Sequence, residues 1–262
     1  MKRILILLIL ATSVNFGFSQ DKLGFGNMPD GVDSAGFGTV TTWVKPSNAI
    51  TIITMSTTST SETWSPQVVT KTGAILHWEV SGAASYSVDI NDPTFDFSAE
   101  GTKNIIVTSS DGGGGLTALS CYYNNLTELD VSGCVSLQVL SCSANGLTSL
   151  NVTGCISLSI LYSNTNNLTE LDVSGCVSLN DLQCDYNRLV SLNIDGCFGL
   201  QAVRLTSNNL SSQSLLMLFD YLIANTVGNF VNVRAQAGGG CVTQTKINEL
   251  DAIWNIIFAD VC

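Results

Sequence analysis

Histidine occurs once in this 262-residue chain, and lysine and arginine together only ten times. Each scarcity excludes something. A Ser–His or Cys–His catalytic pair would have to use His77, which stands beside Trp78 in LHWEV on an expected strand. No G-x-S-x-G, H-E-x-x-H or phosphate-loop sequence accompanies it. His77 therefore reads as a core or surface residue, and no catalytic residue, metal site or cofactor is expected. The scarcity of positive charge argues against nucleic acid or an anionic membrane surface as partner, because both attract basic patches. Apolar runs long enough to span a bilayer are missing too. ILILLILA at 4–11 is too short.

That run has another reading. It follows Lys2 and Arg3 and leads into small and polar residues ending GFSQ, the layout of a secretory signal peptide with Gly17 and Ser19 before the cleavage point. Residues 1–19 are accordingly expected to be removed, leaving a chain at the outer surface or secreted, with no membrane span. No Cys follows the run, so a lipid anchor is not expected. Taking Lys2 and Arg3 from the ten basic residues leaves eight against 21 acidic, a net charge of −13. The acidity is dispersed and reads as solubility. At 45% hydrophobic and 12% charged residues, the chain can bury a substantial core.

What is abundant is repetition. NNLTELDVSGCVSL occurs at 124–137 and again, letter for letter, at 166–179. At a period of 21 the chain falls into LTALSCYYNNLTELDVSGCVS (116–136), LQVLSCSANGLTSLNVTGCIS (137–157), LSILYSNTNNLTELDVSGCVS (158–178), LNDLQCDYNRLVSLNIDGCFG (179–199) and a shorter LQAVRLTSNNL (200–210). A period of this size signals a solenoid, in which equivalent positions stack as columns. Leu116, Leu137, Leu158, Leu179 and Leu200 form one inward column. Leu119, Leu140, Leu161, Leu182 and Val203 form the next. Asn124, Asn145, Asn166, Asn187 and Asn208 form a third, and a buried repeating Asn must hydrogen-bond backbone of its own and the adjacent coil. In the second half of each block, alternation as in LTELDV favours a short strand over a helix. Gly133, Gly154, Gly175 and Gly196 then supply a turn needing positive φ.

The columns at 116–210 resemble bacterial leucine-rich repeats, most closely the internalin-like class with 21-residue repeats and a cysteine ladder. The resemblance implies a right-handed solenoid with a parallel sheet on one face. In that class a Cys replaces a core Leu, as in LSCSAN and LQCDYN here. The chain departs from the pattern at Ser163 and Leu205, where that Cys is missing, and carries a second Cys column where the class often has Asn.

Nine cysteines in a secreted chain invite a disulfide framework. The spacing argues otherwise for seven of them. Cys121, Cys142 and Cys184 share one column, and Cys134, Cys155, Cys176 and Cys197 the other. Stacked residues have parallel Cα–Cβ vectors, a poor direction for a disulfide. A straight column also cannot supply four tetrahedral ligands. The seven read as buried thiols acting as small hydrophobes. Cys241 and Cys262 bracket a C-terminal segment, and a disulfide between them would stabilise it by roughly 3 kcal/mol.

The flanks differ from the repeats. Residues 20–48 are Gly-rich and expected to be loosely ordered. Residues 49–111 contain runs such as AITIITMS, GAILHWEV and TKNIIVTSS, which read as a small antiparallel β unit packed on the first coil. After Leu210, SSQSLLMLFDYLIAN has helix spacing with Ser as a cap, NFVNVRAQ reads as a strand extending the sheet, TQTKINELDAIW as a helix, and NIIFADVC as a last strand. Residues 211–262 are thus expected to form an α/β cap. The fold class is mainly β: a leucine-rich-repeat solenoid between a β unit and this cap.

Glu128, Asp130, Glu170 and Asp172 alternate with Ser149, Asn151, Ser191 and Asn193 in successive coils, roughly 10 Å between acidic pairs by strand spacing. This avoids stacked like charges and is too wide for one metal ion. The remaining variety lies on the exposed face of the sheet, where the residues flanking the second Leu and following the Cys position point outward. That set runs from Ala118 and Tyr122 through Ser141 and Tyr162 to Arg204, and it does not repeat. Tyr122 and Tyr162, with Tyr123 and Tyr186 at the rim, form one expected patch. Asp181, Asp185 and Arg204 form another, with Gln183 beside them. Tyr and Arg are frequent binding hot spots. The expected role is a secreted or cell-surface, non-enzymatic binding protein. Through this face it would hold a protein or cell-surface ligand, as in adhesion, with a glycan stacked on the tyrosines as the alternative.

Overall fold

The computed structural model describes residues 50–61, 64–70, 76–82, 86–89, 93–97, 100–109, 115–225, 230–233, 236, 241–251 and 257–258. The expected signal peptide, the Gly-rich segment and Cys262 lie outside the described residues.

The repeats form a parallel-sheet solenoid of about four turns. The first half of each block supplies one strand: β6 (Leu116–Ser120), β8 (Val139–Ser141), β10 (Ile160–Tyr162), β12 (Asp181–Gln183) and β14 (Ala202–Arg204). They pair in parallel and in register, Leu119 to Leu140 to Leu161 to Leu182 to Val203. Register is fixed because a one-residue slip would turn this fully buried column toward water. Each such leucine is worth about 2–5 kcal/mol against alanine.

The second halves form β7 (Leu126–Asp130), β9 (Ser149–Asn151), β11 (Glu170–Asp172) and β13 (Ser191–Asn193). They pair only two by two, β7 with β9 and β11 with β13. Val131, Val152, Val173 and Ile194 close the core beneath them.

Residues 50–109 contain β1 (Ile50–Thr57), β2 (Gln67–Thr70), β3 (Leu76–Gly82), β4 (Tyr86–Asp89) and β5 (Lys103–Ser109). Their strands join both sides of the first coil. β1 pairs antiparallel with β7, giving a six-stranded sheet in the order β4-β3-β5-β1-β7-β9. β2 pairs antiparallel with β6, adding an eighth strand to the other sheet. Trp64, Trp78, Phe95 and Phe97 fill the core here, Phe95 and Phe97 stacking at 5.7 Å. His77 is buried on β3, as a core histidine. Lys103 is also fully buried, its Nζ donating to the carbonyls of Ser59 (2.6 Å) and Phe97 (3.2 Å).

At the other end, α1 (Ser212–Asn225) buries Leu215, Leu218, Phe219 and Leu222 along one face. Its N-terminus is capped by Ser211, whose Oγ accepts from Ser214 N–H. β15 (Phe230–Asn232) then pairs in parallel with β14, α2 (Gln244–Asp251) follows, and β16 (Ile257–Phe258) pairs with β15. Among the described residues no helix is long and apolar enough to cross a membrane.

Candidate functional site

Two internal ladders hold the outward face rigid. The Asn column makes the first. Asn166 Oδ1 accepts from Leu147 N–H of the preceding coil, and its Nδ2 donates to Cys142 O (3.1 Å) and Ser163 O (3.0 Å). Asn145, Asn187 and Asn208 repeat this pattern. Asn124 has no preceding coil, and its Nδ2 donates to Tyr122 O instead. A sixth rung comes from Gln236, which lies off the 21-residue spacing. Its Oε1 accepts from Leu210 N–H, and its Nε2 donates to Leu205 O and Val233 O, both at 2.8 Å. The signal was a shifted spacing. Val203 pairs with Val231, 28 positions on, because α1 lengthens that turn, so the amide falls at 236 rather than at 229.

The thiols make the second ladder. All seven repeat cysteines are free and fully buried. Cys155 Sγ donates to Val131 O at 3.2 Å and Cys197 Sγ to Val173 O at 3.2 Å, each reaching the preceding coil. Burial pushes Cys134, Cys142, Cys155 and Cys197 up to about 12 and Cys176 to about 11, and raises Cys121 and Cys184 well above the ordinary value. Such thiols are neutral and inert as nucleophiles at pH 7. Cys241 is disulfide-bonded, and its expected partner Cys262 lies outside the described residues.

On the outward face, strand register sets three rows. Ala118, Val139, Ile160, Asp181 and Ala202 form one, and Ser120, Ser141, Tyr162, Gln183 and Arg204 the next. Tyr122, Ser143, Asn164, Asp185 and Thr206 follow just beyond the strands. The structure regroups the residues expected here. Tyr162 does not pair with Tyr122; its hydroxyl donates to Asp181 Oδ2 at 3.1 Å, and Gln183 Nε2 donates to the same carboxylate. Burial, then the Asp181 charge, pushes the Tyr162 phenol up to about 12. Asp185 Oδ1 accepts from Thr206 N–H at 2.7 Å. Burial raises the Asp185 carboxyl, while that bond and the Arg204 charge act in the opposite sense. Tyr162, Asp181, Gln183, Asp185 and Arg204 are therefore one electrostatically linked group. Tyr122 belongs elsewhere: its ring meets that of Tyr123 edge-on at 5.7 Å. Tyr123 and Tyr186 are exposed at the rim.

Ala118 and Ser141, expected to be exposed, are buried, because both are short side chains on strands flanked on each side. The pair Ser143–Asn164 (2.6 Å) ties adjacent coils on this face. No ionised nucleophile or paired general acid and base emerges from these contacts; the face can present hydroxyl, amide, carboxylate and guanidinium groups in fixed positions. No protein-family model matches the chain, and no curated protein or solved structure matches it.

Proposed function

We propose that this chain is a secreted or cell-surface bacterial binding protein of the leucine-rich-repeat class. Its solenoid is right-handed, residues 49–111 and 211–262 act as its end caps, and its role is non-enzymatic. The outward face of the parallel sheet holds a protein or cell-surface partner. The observation that carries the reading is the contrast between rows: inward positions repeat every 21 residues, whereas the outward rows follow no such repeat. Stacking alone requires no such variety. The linked group around Asp181 and Asp185 lies at the C-terminal end of the face, and the Tyr122–Tyr123 pair at the other. A rigid sheet also spares most of the ordering cost at association.

The test is a pull-down from a cell-surface extract of the native environment, comparing wild type with a Tyr122→Ala, Tyr162→Ala, Arg204→Ala triple variant. A partner retained by wild type and lost from the variant supports the reading. Equal recovery by both contradicts it. A glycan-array signal abolished by Tyr162→Ala would assign the face to sugar instead.

A further inference from the structure

A second surface lies on the opposite side of the coil, where the six-stranded sheet crosses from β5 and β1 onto β7 and β9. It forms a groove of about 430 Å³. Strand register lays out its surface. One row runs Asn104, Ser56, Glu128 and Ser149. A second runs Ile106, Thr54, Asp130 and Asn151. With strands about 4.8 Å apart, each row is roughly 14 Å long.

The chemistry of the rows is specific. Ser56 Oγ donates to Asn104 Oδ1 at 3.0 Å, leaving the Asn104 amide hydrogens to donate. Asp130 Oδ1 accepts from Ser132 N–H and its Oδ2 from Asn151 Nδ2 at 3.1 Å. Both Asp130 oxygens are thus engaged, and Asn151 keeps a second amide hydrogen. Glu128, Ser149 and Thr54 make no side-chain hydrogen bond among the described residues. Free donors thus stand beside a free carboxylate acceptor. The groove has no cationic side chain and two acidic ones, so it repels phosphates and uronates. It is also a weak cation site, because only Glu128 remains unengaged and it is exposed, where an ion pair is worth little. Adjacent hydroxyls of a sugar donate and accept at once, and they match alternating amide, hydroxyl and carboxylate groups. Ile106, 37% exposed, offers an apolar contact at one end.

We propose that this groove binds a neutral oligosaccharide, independently of the outward face of the parallel sheet. The molecule contains its own control. Glu170, Asp172, Ser191 and Asn193 repeat the same four side chains on β11 and β13, where no antiparallel strand stands alongside among the described residues. Thr54, Ser56 and Asn104 therefore convert a repeated ladder into a site.

The test is titration calorimetry of the full chain with neutral tetra- to hexasaccharides of gluco-, xylo-, manno- and galacto-configuration, and with tetralysine. At least one saccharide should bind saturably. The pair Asn104→Ala, Glu128→Ala should weaken it about tenfold or more, as expected for two lost hydrogen bonds. Glu128→Gln should retain binding within about threefold, since an amide still accepts from a hydroxyl. Glu170→Ala and Tyr162→Ala should leave it unchanged. Ser149→Trp, which fills the groove, serves as a second blocking variant if the double substitution lowers the melting temperature. Binding of no saccharide overturns the proposal, as does binding that survives both blocking changes or falls equally with Glu170→Ala. Tetralysine binding alone, lost in Glu128→Gln and at high salt, would make the groove a cation site and also overturn it. Loss with Tyr162→Ala alone would move the sugar to the outward face.

Discussion

Each turn of the solenoid has two corners that solve one problem by different means. At the corner before the Asn, the chain enters the left-handed region without glycine: Tyr123, Ala144, Thr165, Tyr186 and Ser207 all have φ between 54° and 59°. That conformation costs a non-glycine residue roughly 1–2 kcal/mol. At the last four of them the Asn amide that follows bonds to carbonyls of two coils and offsets the cost, while Asn124 bonds to Tyr122 O alone among the described residues. At the opposite corner, Gly133, Gly154, Gly175 and Gly196 take φ of 78° to 83°. The V-S-G-C turn closes by itself, Cys176 N–H to Val173 O at 3.1 Å, and the thiol reaches back one coil. One corner tolerates any residue because a polar ladder holds it. The other uses glycine, which takes a positive φ without the Cβ penalty. The glycine corner also ends differently. Gly175 N–H bonds to Asp195 O of the next coil, whereas Gly196 N–H is met at 2.8 Å by Tyr221 Oη of α1.

The difference can be broken most forcefully with alkali. Seven buried thiols keep their protons in the fold well above pH 9, the ordinary value at which the unfolded chain begins to release them. Stability is therefore full below about pH 9 and falls as pH rises toward 12, by about 1.4 kcal/mol per thiol per pH unit. Thermal unfolding followed from pH 8 to 10.5 should show this steep loss. A Cys134→Ala, Cys155→Ala, Cys176→Ala, Cys197→Ala variant should show a clearly shallower one.

Removing one rung of the polar ladder comes next. Asn166→Ala leaves Leu147 N–H and two carbonyls without their side-chain partner inside the fold. It should cost about 3 kcal/mol or more, read from the urea midpoint. The glycine corner is sharpened by Gly175→Ala. A Cβ there meets nothing within 4 Å, so the loss of about 1–2 kcal/mol comes from φ alone. The smallest change has the opposite sign. Thr165→Gly should stabilise by a few tenths to about 1 kcal/mol, because glycine removes the φ penalty of a β-branched residue while losing little contact at an exposed position.

Much of this was legible in the sequence because it is periodic. The Leu, Asn and Cys columns, the positive-φ glycines and the buried face of α1 all follow from spacing. What escaped lacked a shared residue type or a fixed distance. The left-handed column is Tyr, Ala, Thr, Tyr and Ser, which have no chemistry in common. The division of β1 and β2 between the two sides of the first coil is a matter of long-range pairing, to which strand propensity is blind. The Tyr162–Asp181 bond runs diagonally across two strands, so grouping residues by type placed Tyr162 with Tyr122 instead. The groove escaped for the same reason, since half of its surface comes from strands more than 20 positions away in sequence.

The stacked interior is tested most directly by alkylation of the native protein at pH 7.5 with iodoacetamide, followed by mass analysis. Cys121, Cys134, Cys142, Cys155, Cys176, Cys184 and Cys197 should remain unmodified for hours and all react at once in denaturant. Rapid native labelling of several of them would mean that the columns do not lie inside the solenoid.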